Sequence, residues 1–348
     1  MVSGIDKIIS SILEEGNKPK KYNVLFTPRR VADRAERELN RILNILKQEE
    51  YVGDLDLSDV EDLIPDIYNI TDLGNLRVIH GNVELGGSKI SSLGNLERVD
   101  GNFSLSYTDV SNLGKLEYVG GSLFINSANV KSLGNLKYVG GYFDANRTKL
   151  VTLDPLEEVD GALDLVYCLD LVSLGSLKRV GGFIEISDDL SLSDLGSLKY
   201  AGGIRITNAF RLKTLDPLEE ISGDLDIIHS NIVNLGSLKA VGGSIRAYYS
   251  KLADLGSLEY VGGDLEVNRS DLRTLGSLKE VRGSLDLTDC SNLINLGSLR
   301  KVGRDLYLDG TKVTDLPVYI EVGRRVYISR DSEIDTGKLD SRIKIVRK

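Results

Sequence analysis

The chain has 348 residues, 41% of them hydrophobic and 27% charged, with a formal net charge of −9. Such a composition can bury a core and is not that of a disordered polymer. The acidic balance argues against nucleic acid as the main partner, because phosphate contacts need a basic face. No apolar run approaches the roughly 18 to 20 residues of a membrane-spanning helix. The first twenty residues carry Asp6, Lys7, Glu14 and Glu15 in place of the apolar core of a signal peptide. Two cysteines make no disulfide framework. These totals predict a soluble protein of a reducing compartment such as the cytoplasm, or one released without the standard export route.

Residues 1–52 read as a helical N-terminal segment. Ile5, Ile8, Ile9, Ile12 and Leu13 lie on one face of a short amphipathic helix, and "GNKPKKYN" reads as a turn. Thr27 and Pro28 have the character of an N-cap and first helical residue. The helix that follows sets Val31, Ala35, Leu39, Ile42, Leu43 and Leu46 on one face, with Arg30, Arg34, Arg37 and Arg41 among the rest. Residues 1–50 hold 10 Lys and Arg against 8 Asp and Glu, so a slightly basic head precedes an acidic body. It serves as a cap over the first coil or as a docking or oligomerisation segment.

From residue 53 to about 330 the chain repeats itself. A leucine in the pattern L-G/D-x-L stands at 73, 93, 113, 133, 153, 174, 195, 215, 235, 255, 275, 296 and 316, a spacing of 20 or 21 throughout. A fixed period of this length predicts a solenoid of about 13 coils, each packed on its neighbours. Two and four residues after a Gly-Gly pair come apolar residues such as Leu123 and Ile125, Phe143 and Ala145, Leu265 and Val267. That alternation predicts a short strand with one buried face, with an extended or second-strand return path. Thirteen coils stacked at ~4.8 Å would extend about 60 Å. The glycine pair is expected to turn a corner through positive φ, and no helix start follows it to make a phosphate loop.

Seven residues after the second glycine stands a small residue: Ser88, Thr108, Ala128, Thr148, Cys168, Ser230, Ser250, Ser270, Cys290 or Thr311. The segments "LFINSANV", "LDLTDCSNL" and "LYLDGTKV" resemble the LxLxxNxL segment of leucine-rich repeats, with Ser, Thr or Cys where Asn is commonest. "LTDCSNLINLGSLRKVGRDLYL" and "LKTLDPLEEISGDLDII" also resemble receptor L domains, which wind a similar coil into a right-handed β-helix. The resemblance covers roughly residues 73–330. It implies an all-β solenoid of parallel coils with a short helical cap, either an open arc or a closed β-helix. It also implies that the small residue faces inward and satisfies backbone groups. Cys168 and Cys290 are then core fillers six coils apart, about 29 Å, beyond disulfide reach. Residues 331–348, an alternating and basic stretch, read as the closing cap.

Two outward rows follow from the parity. After the third Leu of each unit the sign of charge varies from coil to coil, as in Glu157, Lys178, Lys199, Glu219, Lys239, Glu259 and Lys279, which predicts a structural ladder of ion pairs. In the strand after the glycines the outward position holds Glu84, Ser104, Phe124, Asp144, Asp164, Glu185, Arg205, Asp226, Arg246, Glu266, Asp286 and Tyr307. Seven of these twelve are carboxylates. Asp forms strands poorly and like charges stack unfavourably, so the excess reads as a solvated face or one kept for a ligand. Phe124, Tyr142, Phe183, Tyr248 and Tyr307 add rings to this ribbon. Tyr107, Tyr167, His229 and Tyr249 lie on its rim beside Arg147 and Arg269.

Exposed aromatics flanked by charge point to recognition. The expected function is a non-enzymatic protein-interaction scaffold, with Phe124, Tyr142, Asp144, Asp164, Phe183, Glu185, Arg205, Asp226, Arg246, Tyr248, Glu266, Asp286 and Tyr307 facing the partner. That partner is a protein with a basic or mixed surface; no cofactor and no metal is expected. The alternative is a virion or cell-envelope component assembled through residues 1–50. A remote one is a carbohydrate-binding or carbohydrate-cleaving β-helix. There Asp164 and Glu185, one coil apart, would approach the ~5–5.5 Å carboxyl spacing of retaining glycosidases.

Overall fold

A computed structural model describes residues 29–58, 70–188, 191–317, 319–334 and 343–347, with side chains described from residue 36 onward. The expected elements before residue 29 lie outside the described residues. Contacts divide the chain into two compact units, residues 1–150 with 154–156, and residues 151–153 with 157–348. Both are parallel β-solenoids built on the same coil.

In the first unit a helix, Arg29–Ile45, precedes the coils. Leu39, Ile42, Leu43 and Leu46, at i, i+3, i+4 and i+7, are buried together with Ile45. The chain then joins the first described coil through its backbone: Asn75 donates to the Leu46 carbonyl at 2.9 Å and Arg77 to that of Glu49 at 2.7 Å. The helix thus buries its apolar stripe, and the segment after it joins the first parallel ladder through Glu50–Val52.

Most described coils have two short strands, one on either side of the glycine pair. Tyr138–Val139 and Phe143–Asp144 are an example in the first unit, and Tyr260–Val261 and Leu265–Glu266 in the second. Every strand pairs in parallel with its counterpart one coil on, as Val99↔Val119↔Val139 and Ile245↔Leu265↔Leu285 illustrate. A third ladder of single bridges runs through the residue before the repeated leucine, as in Asn112↔Ser132 and Thr214↔Asn234↔Asp254↔Thr274. This is the extended return path, and three ladders around one core make each unit a β-helix. In the second unit Arg179–Ser187 and Tyr200–Thr207 run as unbroken strands across their glycines, with a register irregularity between Val180 and Phe183.

The core is the repeated apolar set. Leu133, Leu136, Val139, Phe143, Ala145 and Leu150 are all fully buried, and so are their equivalents in neighbouring coils. The small residue faces inward as expected. Thr108 and Thr148 are buried and donate to the carbonyl three residues back, at 2.7 and 2.8 Å. Cys168 and Cys290 are buried free thiols, and burial pushes the Cys290 thiol above its ordinary range.

The glycine pairs correct one expectation. Neither Gly140 nor Gly141 has positive φ; a close approach between coils explains them. A Cβ at Gly141 would sit 2.8 Å from the Ser122 amide nitrogen and 2.9 Å from the Gly121 carbonyl carbon. The left-handed corner lies instead at the glycine of the Leu-Gly motif, as at Gly114 and Gly134, with φ of 63° and 60°. Its amide is held by the residue two places earlier: Asn112 accepts from Gly114 at 2.6 Å and Asp254 from Gly256 at 2.8 Å.

A second left-handed corner, three residues beyond the outward position of the second strand, contains no glycine in most coils. In the first unit it is Tyr107, Ser127 and Arg147. In the second it is Tyr167, Asp188, Asn208, His229, Tyr249, Arg269 and Asp289, with φ between 55° and 59°. This row is the rim marked out in the sequence.

Candidate functional site

The outward ribbon is less open than its parity implied. Of the thirteen ribbon residues, Arg205 is exposed and the others are half-buried. Its aspartates have local work. Asp144 accepts the amide of Asn146 at 3.0 Å, Asp226 that of Ile228 at 3.3 Å, and Asp286 that of Thr288 at 2.9 Å. Each carboxylate caps the turn into the left-handed corner, where Asp outperforms Thr because its side chain accepts the amide two residues on.

In the first unit Asp144 lies opposite Phe124, whose ring meets Tyr142 edge-on at 6.0 Å. In the second, successive strands bring the remaining residues into one row: Asp164, Glu185, Arg205, Asp226, Arg246, Glu266, Asp286 and Tyr307. Arginines interrupt the acid. Arg205 lies 3.3 Å from Glu185 and 3.5 Å from Asp226, and Arg246 lies 3.4 Å from Asp224. The like-charge stacking expected of this row is thus largely relieved. It persists at Asp164 beside Glu185 and at Glu266 beside Asp286, and at the latter burial, ahead of the neighbouring Asp264 and Asp286, holds the Glu266 carboxyl above its ordinary range. Tyr307 stacks on Tyr327 at 4.5 Å, and burial followed by Asp305 raises its phenol. Phe183 stands opposite Gly203, with the Arg205 guanidinium 5.7 Å from its ring.

Asp164 and Glu185 pair in register, as the glycosidase reading required. Both are engaged locally: Asp164 accepts the Val166 amide at 3.3 Å, and Glu185 accepts the Ser187 hydroxyl at 2.9 Å as well as Arg205.

The rim is different. Tyr107 in the first unit is 68% exposed; Tyr167 and Tyr249 in the second are 45% and 46% exposed. From His229 onward the second unit's rim forms a continuous stack. The His229 and Tyr249 rings stack 5.2 Å apart, nearly parallel, and Tyr248 meets Tyr249 edge-on at 5.9 Å. Arg269 covers the Tyr249 ring at 5.2 Å, donates to its hydroxyl and pairs with Asp289 at 3.1 Å. The rings are held by their neighbours before anything binds.

A further aromatic row escaped the sequence reading. In the first unit Arg98 lies 4.0 Å over Tyr118, which stacks on Tyr138 at 5.0 Å. In the second, Arg179 lies over Tyr200 and Arg282 over Tyr260. The signal was the tyrosine in "EYVGG" and "KYVGG", hidden because it alternates with Glu, Arg and Lys.

The charge ladder is as expected. Lys199 and Lys239 flank Glu219 at 2.9 and 3.3 Å, Lys279 meets Glu259 at 2.6 Å, and Lys178 meets Glu157 at 2.5 Å. These exposed pairs set register more than they add stability. Among the described residues no cluster of His, Cys, Asp and Glu could hold a metal ion, and no helix is long and apolar enough to cross a membrane. The coil, its three ladders and its regular core define a parallel β-solenoid. Comparison with family models, curated proteins and solved structures returns no match for this chain.

Proposed function

We propose that this protein is a non-catalytic scaffold that binds a partner protein through the rim of its coils, in the second unit through Tyr167, His229, Tyr249 and Arg269. The supporting observation is the residue choice at a left-handed corner. An L-residue at such a φ is disfavoured by roughly 1–2 kcal/mol, and Gly, Asn or Asp relieve this most readily. Asn208 and Asp188 show that the corner accepts the relaxed residues. Large rings persist there while half their surface meets solvent. Stability of the coil does not call for them, and Tyr and Arg are the types that dominate binding hot spots. Their mutual stacking reduces the side-chain entropy lost on association.

The likeness of the repeat to leucine-rich repeats agrees with a binding scaffold by analogy of fold alone. The partner reading shifts with the geometry. Engaged carboxylates on the ribbon leave the aromatic rim, with its mixed charges, as the contact surface. The test is capture from lysate of the native source with the wild-type chain and with Tyr167→Asn, Tyr249→Asn, Arg269→Asn combined. A partner held by the wild type and lost by the folded variant supports the proposal; identical captures overturn it.

A further inference from the structure

Basic residues gather at one place in the second unit. At the glycine-pair corner of the second unit, the last coils replace glycine with arginine: Arg282 at the first position of its pair, Arg304 and Arg324 at the second of theirs, with Arg325 next in sequence. Arg304 donates its amide to the Gly283 carbonyl at 3.0 Å and Arg324 donates to that of Arg304 at 3.1 Å, so the three arginine-bearing corners lie on consecutive coils. One strand further, Lys344 lies directly opposite Arg325.

The first place of the pair also takes Asp160 and Ser222, and Arg282 there lies over the Tyr260 ring, but nothing in the coil favours a side chain at the second. At Gly283, a Cβ would come within 2.6 Å of the Gly263 carbonyl oxygen and 2.7 Å of the Asp264 amide nitrogen. Glycine stands at this second place in the earlier coils, as at Gly223, Gly243, Gly263 and Gly283. Arginine therefore replaces it against the packing preference, and twice in succession, setting like charges side by side.

The nearby carboxylates do not neutralise the group. Asp264 is 3.9 Å from Arg304, and Glu280 is 3.8 Å from Arg282 while closer, at 3.3 Å, to Lys301. Asp305 accepts the Arg325 amide at 3.1 Å, and the Arg325 guanidinium donates to the Tyr327 hydroxyl at 3.2 Å. Among the described residues Arg324 has no ion-pair partner. Residues 300–348 as a whole carry 12 Lys and Arg against 8 Asp and Glu, on a chain whose net charge is −9.

We infer that this arginine corner is a second binding surface, and that its occupant is a short acidic segment of a partner protein. Arginine forks pair carboxylates in bidentate fashion, and three or four of them along about 15 Å match a few side chains of an extended strand. A long polyanion is disfavoured because the rest of the chain would repel it. The surface is separate from the rim, and either can fail without the other.

The probe is a fluorescently labelled hexaglutamate peptide, followed by anisotropy on the full chain, with a twenty-nucleotide single-stranded DNA as the comparison. Saturable peptide binding is expected, weakened roughly tenfold or more in Arg304→Gly, Arg324→Gly as two charge-assisted contacts disappear, and unchanged in Lys239→Ala. The glycine variant restores the residue of the preceding coils, so its thermal midpoint should equal or exceed that of the wild type. Arg304→Gln, Arg324→Gln keeps the bulk without the charge and should lose binding equally. Absence of saturable peptide binding, undiminished binding by both variants, or arginine-dependent preference for the DNA would each overturn the inference.

Discussion

Two single substitutions separate the two kinds of glycine. Gly114 has φ of 63°, and a Cβ placed on it meets nothing within 4 Å. Gly114→Ala therefore introduces backbone strain alone, about 1–2 kcal/mol. Gly141 has no such strain, but its Cβ would lie 2.6 Å from the Ser122 hydroxyl, 2.8 Å from that residue's amide nitrogen and 2.9 Å from the Gly121 carbonyl carbon. Two of these atoms are backbone, so relief requires adjacent coils to part. That threatens the hydrogen bond from the Gly141 amide to the Gly121 carbonyl, now 2.8 Å. Overpacking of roughly 1–3 kcal/mol plus about 1 kcal/mol for the bond puts Gly141→Ala near 3 kcal/mol. Urea unfolding gives the two totals. Amide exchange locates them, because a repeat array opens locally and the Gly141 effect should be confined to the coils on either side. If Gly114→Ala proves as damaging as Gly141→Ala, coil-to-coil approach is not what selects the paired glycines.

Three further outcomes are expected. Asp144→Asn should be nearly neutral, because the amide oxygen still accepts from Asn146, whereas Asp144→Ala should lose about 1 kcal/mol in chemical denaturation. Equal losses would mean that charge, not capping, places Asp there. Tyr107→Asn should raise stability by up to about 1 kcal/mol as the left-handed strain relaxes, measured by thermal unfolding; a loss of that size would contradict the strain. Glu266 has its carboxyl raised in the fold, so its ionisation opposes folding, and the penalty grows as pH rises from the unfolded value of about 4.3 through the folded one. Glu266→Gln should accordingly raise the melting temperature at pH 7 and leave it unchanged below about pH 4, and a gain equal at both pH values would exclude this cause.

Much of the fold was legible because a solenoid writes its core into its period. Leu133, Leu136, Val139 and Phe143 recur at fixed offsets, and period alone assigns them to the interior. The inward Thr148 and the ladder of Lys199, Glu219 and Lys239 follow from the same register. The glycine pair was misread because the distance between neighbouring coils is not written in any one coil. A corner at Gly140–Gly141 looks the same whether it is made by φ or by contact. The ribbon was only partly legible for a related reason. Asp144 was weighed by its charge and strand propensity, while its decisive partner is an amide two residues along the chain. Arg205 and Arg246 were visible, but their placement between Glu185, Asp226 and Glu266 acquires meaning only once the strands are stacked. The rim residues were marked in the sequence, though not the left-handed backbone that makes Tyr249 an expensive choice.

Site-specific photocrosslinking tests the central claim most directly. A benzophenone side chain is placed at position 249 on the rim and, separately, at position 239 on the charge ladder. Each protein is then irradiated in native lysate. The account predicts a discrete crosslinked protein from position 249 and none from position 239. Crosslinking from 239 alone, or the same products from both, would contradict a rim-directed scaffold.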